Sequence, residues 1–274
     1  MPVTPESAPP ASLSSIVPPP HRPFLRRFWP VLVAVVVVVV VLAYFALAGI
    51  GSSGGSAGVS FATANGMANK SASGVPGGPW GLVTAIGYAP RVASQTNSSS
   101  SIGSGCTVSP PGSGSIPTTV SIPSFSGSFS SGNALWWGLF YYQPSTQQVL
   151  VVEVTNGAAT PLLIASGSCV STFQDLSPIP AGVVDSSTAA SAAWVQGGSA
   201  FASVHSNLTL NLEMAILGGG TFEGTTIGPS WLVEVSPCLP LGLGGPSGEQ
   251  PTFEAVVNAT SGTLASPVVT STTC

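Results

Sequence analysis

Charged side chains are scarce in this chain of 274 residues. It carries five Lys+Arg and nine Asp+Glu, so that charged residues make up 5% of the chain, against roughly 25% in an average soluble domain. Lys70 and Arg91 are the only basic residues beyond position 50. A protein that binds nucleic acid needs clustered Lys and Arg to displace counterions from phosphates. The composition therefore excludes nucleic acid as a partner.

Residues that commonly perform catalysis are also few. The only histidines are His21 and His205. None of the cysteines lies in a CxxC motif or at metal-ligand spacing from a histidine, which disfavours a zinc site. We therefore expect a non-enzymatic protein with no catalytic residue, no metal and no cofactor.

Glutamates are the remaining candidates for chemistry. Glu153, Glu234 and Glu254 each fall within a predicted strand. Paired carboxylates can perform acid–base catalysis, as in a hydrolase, or hold Ca²⁺. The favoured interpretation is that they are solvated, outward-facing side chains that keep a weakly charged protein soluble.

The chain contains one long apolar run, which occupies residues 31–50 and carries no charge. Twenty such residues suffice to cross a bilayer. Arg22, Arg26 and Arg27 precede the run, and the positive-inside rule then places the N-terminus in the cytosol. We expect a disordered cytosolic tail (1–29), a transmembrane helix in contact with the lipid bilayer (30–50), a flexible spacer (51–58) and an extracellular remainder. Cleavage after Ala48, as in a signal peptide, is the alternative.

Alternating apolar residues predict strands in that remainder. In residues 207–217 one face is formed by Leu208, Leu210, Leu212, Met214 and Ile216. Residues 231–235 and 252–258 follow the same pattern, with Glu234 and Glu254 facing outward. Residues 134–142 and 148–154 predict a hairpin around a short turn. Alanine-rich stretches near residues 60–72 and 185–195 and a shorter one after Gly198 predict helices, with Asp185 or a following serine as N-cap.

The order of these elements occurs twice. A helix, strands, a turn, a further apolar segment and a cysteine run through residues 59–170, interrupted by a Ser/Gly/Pro-rich loop (94–132), and again through 171–274. This pattern is typical of an internal duplication. The predicted fold class is α+β, with the N-terminal transmembrane helix followed by two helix-plus-antiparallel-sheet halves.

The second half resembles a PepSY unit. A helix is followed by W-x-V-x-V at Trp231–Val235 and then by a hairpin whose turn runs from Asn258, where the family usually has Asp, through Gly262 to Leu264. The resemblance covers mainly residues 185–266 and more faintly 58–166. It implies a cystatin-like α+β fold outside the cytoplasm and no catalytic residues. The chain as a whole also resembles uncharacterised single-pass surface proteins of archaea.

The four cysteines suit disulfides, which form in oxidising compartments. Four cysteines allow three pairings. If the two halves correspond, Cys106 pairs with Cys169, and Cys238 pairs with Cys274 at the end of the chain.

The aromatic strand at residues 134–142 offers a candidate binding surface. Consecutive strand residues face opposite sides of a sheet, so core packing is the favoured interpretation and a ligand platform the alternative. Such a platform could bind a peptide or glycan through Trp136, Trp137, Tyr141 and Tyr142. N-x-[ST] sequons, the acceptors of N-glycosylation, occur at Asn69, Asn97, Asn207 and Asn258.

The sequence thus predicts a membrane-anchored, extracellular, non-enzymatic protein with a role in binding or envelope structure. Its extracellular partner, a protein or a glycan, is not specified by any motif. A peptide- or glycan-binding module and, less favoured, a secreted hydrolase are the alternatives.

Overall fold

The structure is a computed structural model that describes residues 58–92, 94–97, 105–111, 119–122, 124–222, 225–238 and 246–274. The helices among them are α1 (Phe61–Ala72), α2 (Ser186–Ala193) and α3 (Ser199–Val204), with 3₁₀ turns at Phe129–Ser131 and Ser168–Phe173 and a π turn at Trp194–Gly198. The strands are β1 (Gly81–Ala89), β2 (Ser94–Asn97), β3 (Cys106–Ser109), β4 (Thr119–Ile122), β5 (Trp136–Gln143), β6 (Gln148–Thr155), β7 (Ala158–Gly167), β8 (Asn211–Leu217), β9 (Gly220–Phe222), β10 (Thr225–Ile227), β11 (Ser230–Ser236), β12 (Glu249–Asn258) and β13 (Leu264–Thr273).

Nine strands form one antiparallel sheet in the order β13-β12-β11-β8-β1-β5-β6-β7-β3. We call the two predicted halves, residues 59–170 and 171–274, the first and the second repeat. The first long strand of each lies at the centre of the sheet, where β1 pairs with β8 from Thr84↔Leu217 to Ala89↔Leu212. Strands β5–β7 extend outward on one side and β11–β13 on the other, and β3 pairs with β7, so β3 and β13 are the two edges. Two two-stranded sheets, the hairpin β9–β10 and the pair β2–β4, lie outside this sheet.

The helices pack on one face of the sheet, where small residues let them approach closely. Ala64, Ala68 and Ala72 recur at four-residue spacing along α1 and are buried, and so is a similar alanine stripe on α2. Phe61, at the start of α1, contacts Trp137 from the first repeat and Trp231 from the second, with ring centroids 5.8 and 5.2 Å apart. One aromatic cluster thereby joins the two repeats.

The opposite face is buried differently on its two sides. Under β1 and β5–β7, a second core includes Phe140, Val151 and Leu163, and the 3₁₀ turn Ser168–Phe173 covers it through Phe173. Under β8, β11 and β12 the same face carries Glu213, Glu234 and Glu254 among half-buried apolar residues.

The predicted fold class is wrong. The described residues are mostly antiparallel sheet, with only three short α-helices. The two repeats do not form separate sheets, because the edges of β1 and β8 pair with each other and merge the strands into one sheet. The alanine-rich stretches form only short helices, and most of the regular structure is strand.

The prediction of an N-terminal transmembrane helix is contradicted together with the fold class. No helix in the described part of the chain is long and apolar enough to cross a membrane. Residues 30–50, to which that helix was assigned, lie outside the described residues, as do the tail 1–29 and nearly all of the spacer 51–58. The described portions of the loop 94–132 contain β2, β3 and β4.

Candidate functional site

Three carboxyl groups lie side by side across the second repeat. Glu234 in β11 is directly opposite Glu213 in β8 and also directly opposite Glu254 in β12. Directly opposed residues of antiparallel strands point to the same face, with Cβ atoms roughly 4.5–5.5 Å apart. We call Glu213, Glu234 and Glu254 the carboxyl row.

The carboxyl row is poorly hydrated. Glu254 is only 4% exposed, and Glu213 and Glu234 are half-buried. Burial penalises the charged form and raises the pKa of Glu213 to about 8 and that of Glu234 to about 7. Burial also raises the pKa of Glu254, against the opposing effect of a hydrogen bond from Thr270 Oγ1 to Glu254 Oε1 at 3.2 Å. The ionised forms of these three carboxyl groups are therefore stabilised less by water than those of solvated glutamates.

Two buried hydroxyl groups border the row without a hydrogen-bond partner. Tyr88 in β1 is directly opposite Glu213, is 1% exposed, and its Oη is unpaired. Burial, followed by the charges of Glu213 and Glu234, raises the pKa of this phenol. Thr252, two residues before Glu254 on the same face, is fully buried, and its Oγ1 is also unpaired. Unpaired buried hydroxyls are costly.

A fourth carboxyl group extends this polar line into the first repeat. Glu153 in β6 is 7% exposed, and its Oε1 accepts a hydrogen bond from Trp136 Nε1 at 2.8 Å. Trp136 is in turn directly opposite Tyr88. Burial raises the pKa of Glu153 to about 7, although the hydrogen bond from Trp136 opposes the shift. The polar line thus runs from β6 through β5 and β1 to β12.

The expectation that the glutamates are solvated is wrong. Glu153 and Glu254 are buried, and Glu234 is half-buried. Alternation along the strands correctly places them opposite the helix-covered face, but it carries no information on whether the second face is also covered. Sequence reasoning also missed Glu213 as a member of the row and Tyr88 as its neighbour, since strand order cannot be read from alternation.

The four glutamate carboxyl groups do not all converge on one point, as a metal site or a glutamate-based hydrolase would require. Glu234 and Glu254 are neighbours, but β1 and β5 separate Glu153 from Glu213 in the sheet order. Within the described residues, no group of three or more His, Cys, Asp or Glu side chains is arranged to hold a metal ion. His205 ends α3 and packs on Phe201, with ring centroids 4.6 Å apart.

The aromatic strand forms core and no exposed platform. Trp136, Trp137, Tyr141 and Tyr142 are all buried, and they alternate between the two cores as strand geometry requires. Trp137 Nε1 donates to the Val59 carbonyl at 2.9 Å, which fixes the chain just before α1. Tyr141 also lines a surface pocket.

That pocket lies between the end of α1 and the start of β1 and has a volume of about 540 Å³. Tyr141 Oη donates to Asn69 Oδ1 at 2.9 Å at its floor, and Trp80, which is half-buried, forms a wall. The rest of the lining comes from the end of α1 and a Pro/Gly-rich turn (76–79), with Ser73 and Val75 between them. A concave site with one aromatic wall and an amide is typical of small-ligand sites.

A second pocket, of about 420 Å³, lies between α3 and the outer strands β12 and β13. Its lining is mostly apolar and includes Val204 and Val269, which are 75% and 63% exposed. His205 is the only titratable residue in that lining.

The disulfides follow the predicted pairing. Cys106 is bonded to Cys169, and Cys238 to Cys274, each with a Cα–Cα distance of 5.2 Å. Cys106 begins the edge strand β3, and Cys274 directly follows the other edge strand, β13. Each bond therefore fastens one free edge of the nine-stranded sheet.

The sequons differ in what the structure shows of them. Asn69, Asn207 and Asn258 are exposed. The amide oxygens of two of these are engaged: that of Asn69 accepts from Tyr141, and that of Asn258 accepts from the backbone N–H groups of Thr260 and Ser261 at 2.9 Å each. The side chain of Asn97 lies outside what the structure describes.

Comparisons with known proteins give no relative. No family model matches the chain, and no curated protein or solved structure matches it. The PepSY resemblance therefore stays a prediction from the sequence.

Proposed function

We propose that this chain is a non-enzymatic protein displayed outside the cell, at the cell membrane, where its disulfide-fastened sheet has a binding or envelope-structural role. The observation that carries the proposal is the bonding of both sheet edges through Cys106–Cys169 and Cys238–Cys274. Disulfides persist in oxidising compartments outside the cytosol. Exposed sheet edges also invite pairing with other chains, and fastening them suits a protein that must stay folded without chaperones.

The single lysine provides a direct test of location. Lys70 lies in α1 and is exposed, and it is the only lysine of the chain. A membrane-impermeant amine reagent applied to intact cells should label Lys70 if the folded domain is outside. The Lys70→Arg variant is the matched control, because it keeps the charge and removes the amine. Labelling of Lys70 only after lysis contradicts the proposal.

A binding role is favoured by the pocket formed by Asn69, Trp80 and Tyr141. The aromatic wall can stack on a sugar ring or an apolar side chain, and the amide and phenol can hydrogen-bond polar groups. A peptide or a glycan is the class of ligand that fits such a surface, and extracellular polymers of both kinds are accessible there. This candidate replaces the aromatic strand, whose rings are buried.

Glycan and peptide arrays probed with the full chain test the binding role. Trp80→Ala should abolish a signal that Trp194→Ala retains, because Trp194 is also half-buried but lies against Phe129, away from the pocket. Equal loss in both variants points to general unfolding, which circular dichroism detects. Binding that survives Trp80→Ala in a folded protein excludes this pocket.

A further inference from the structure

Within the part of the chain that the structure describes, the carboxyl row has no cation to balance it. Lys70 and Arg91 are the only basic residues beyond position 50. Lys70 lies on α1, which packs on the opposite face of the sheet. The Arg91 guanidinium donates to the Phe125 carbonyl at 2.9 Å and lies 4.2 Å from the Phe129 ring centroid. No cationic side chain among the described residues therefore neutralises the row, and a ligand that enters it can do so.

The unpaired hydroxyls show where that ligand acts. Tyr88 Oη and Thr252 Oγ1 are buried beside Glu213 and Glu254 and have no partner. A hydroxyl can donate to a carboxylate or accept from a carboxylic acid. Neighbouring carboxyl groups on adjacent strands can likewise share a proton, since a protonated one donates to its ionised neighbour. The smallest ligand that satisfies all of these groups is the proton.

We propose that the carboxyl row is a proton-binding site that tightens the second repeat of the sheet in acid and loosens it when the protons leave. The row spans β8, β11 and β12, which are consecutive in the sheet. Ionisation of all three groups would place like charges directly opposite each other across two strand pairs, which is destabilising. The loss of protons is therefore coupled to the pairing of these strands.

The direction of the pH dependence follows from the shifts already described. The folded-state pKa values of Glu213 and Glu234, about 8 and about 7, lie above the ordinary value of 4.5. A group with a raised pKa contributes its full stability below the unfolded value and loses it as pH rises through the folded value. Stability should hence be greatest in acid and fall between about pH 5 and about pH 8. Repulsion between like charges in acid should be small, because charged residues make up only 5% of the chain.

Among the described residues, the titratable neighbours of the row all have raised pKa values. Tyr88 faces it from β1, and Glu153 lies on the same face beyond Trp136, with its own raised pKa. From β13, Thr270 contributes only a hydroxyl. Within β11, a hydrogen bond with Ser236 opposes the shift of Glu234 without reversing it. None of these groups is cationic.

Thermal unfolding of the full chain at about pH 5 and about pH 8 tests the proposal. The wild-type Tm should fall by about 5 °C or more across this range. In Glu234→Gln, which removes the central titrating group at nearly constant shape, the fall should be markedly smaller. Glu249→Gln is the matched control, because Glu249 is an exposed carboxyl on the same β12 strand and its loss should leave the wild-type fall intact.

Proton counting decides the matter even if Glu234→Gln does not fold. Unfolding of the wild-type chain at about pH 6.5 in weak buffer should release at least about one proton per molecule, because the folded state holds more protons than the unfolded state. Proton uptake, or a Tm that does not fall with pH, overturns the proposal. So does a Tm at about pH 8 that Ca²⁺ or Mg²⁺ raises in the wild type but not in Glu234→Gln, since the row would then bind a metal ion.

Discussion

The hydroxyl of Ser186 accepts a hydrogen bond from the backbone N–H of Phe61 at 2.9 Å, across 125 residues of sequence. Beside it, Asp185 Oδ1 accepts from Ala62 N and from Ser186 N, both at 2.8 Å. Ser60, the N-cap residue of α1, makes no side-chain capping bond of its own. The N-terminal residues of α2 therefore cap both helices and join the two repeats.

Removal of the shared cap should cost more than loss of an ordinary N-cap. We expect Asp185→Ala to lower the free energy of unfolding by about 1–3 kcal/mol, because two helix N-termini lose an acceptor. Asp185→Asn should lose less, since its amide oxygen can still accept. Chemical denaturation measures both. Asp175→Ala, at an exposed position, is the control, and an equal effect there would contradict the shared cap.

The C-terminal disulfide should respond independently of the first. Cys274→Ser should leave Cys238 as a free thiol, keep Cys106–Cys169 intact and increase amide exchange in β13. Chain-entropy arguments put the loss at up to about 4 kcal/mol for a loop of this length. Thiol labelling with peptide mapping gives the pairing. Cys106→Ser is the mirror control, which should free Cys169 alone; any exchange of partners between the two pairs would refute independence.

Gly138 gives the Trp136 ring the room it needs to reach Glu153. A Cβ at Gly138 would lie 2.5 Å from the ring of Trp136. Gly138→Ala should therefore displace the indole, break its hydrogen bond to Glu153 and destabilise the fold by about 1–3 kcal/mol. Gly66→Ala is the matched control, because nothing lies within 4 Å of its Cβ in α1, and it should stabilise by about 0.5–1 kcal/mol. Equal effects of the two substitutions would show that the contact is unimportant.

The hydrogen bond from Trp136 holds the pKa of Glu153 below what burial alone would set. Trp136→Phe should consequently raise that pKa above about 7, since the ionised carboxylate loses its donor. Carbon-13 NMR of the Glu153 side-chain carboxyl during a pH titration measures the change. Trp137→Phe is the control, because the Trp137 indole donates to Val59 on the other face. An unchanged or lowered Glu153 pKa in Trp136→Phe would reject the role.

Local patterns in the sequence were sufficient to predict the main strands and helices of the second repeat. Trp231, Val233 and Val235 are buried under the helices as alternation predicts, and Asp185 begins α2 as its N-cap. The turn after Asn258 also forms, with Gly262 at a φ of +72°. These features depend on interactions between residues close in sequence, so the local sequence is enough to predict them.

Features that depend on strand order could not be predicted. The pairing of β1 with β8 places Tyr88 beside Glu213, although 125 positions separate them in the chain. The burial of Glu254 depends on what lies over the second face, which its own strand does not encode. The same limit explains the error in fold class, because two similar sequence units merge into one sheet through contacts that neither unit specifies alone.

The two disulfides also set how the protein behaves under tension. They close loops with sequence separations of 63 and 36 residues. At about 3.4 Å per extended residue, roughly 340 Å of chain cannot be drawn out while both bonds persist. A pull on the two ends of the described chain would therefore extend it only through the segments outside these loops, and reduction of the bonds would release the stored length. An oxidising environment thus keeps the stretched molecule short.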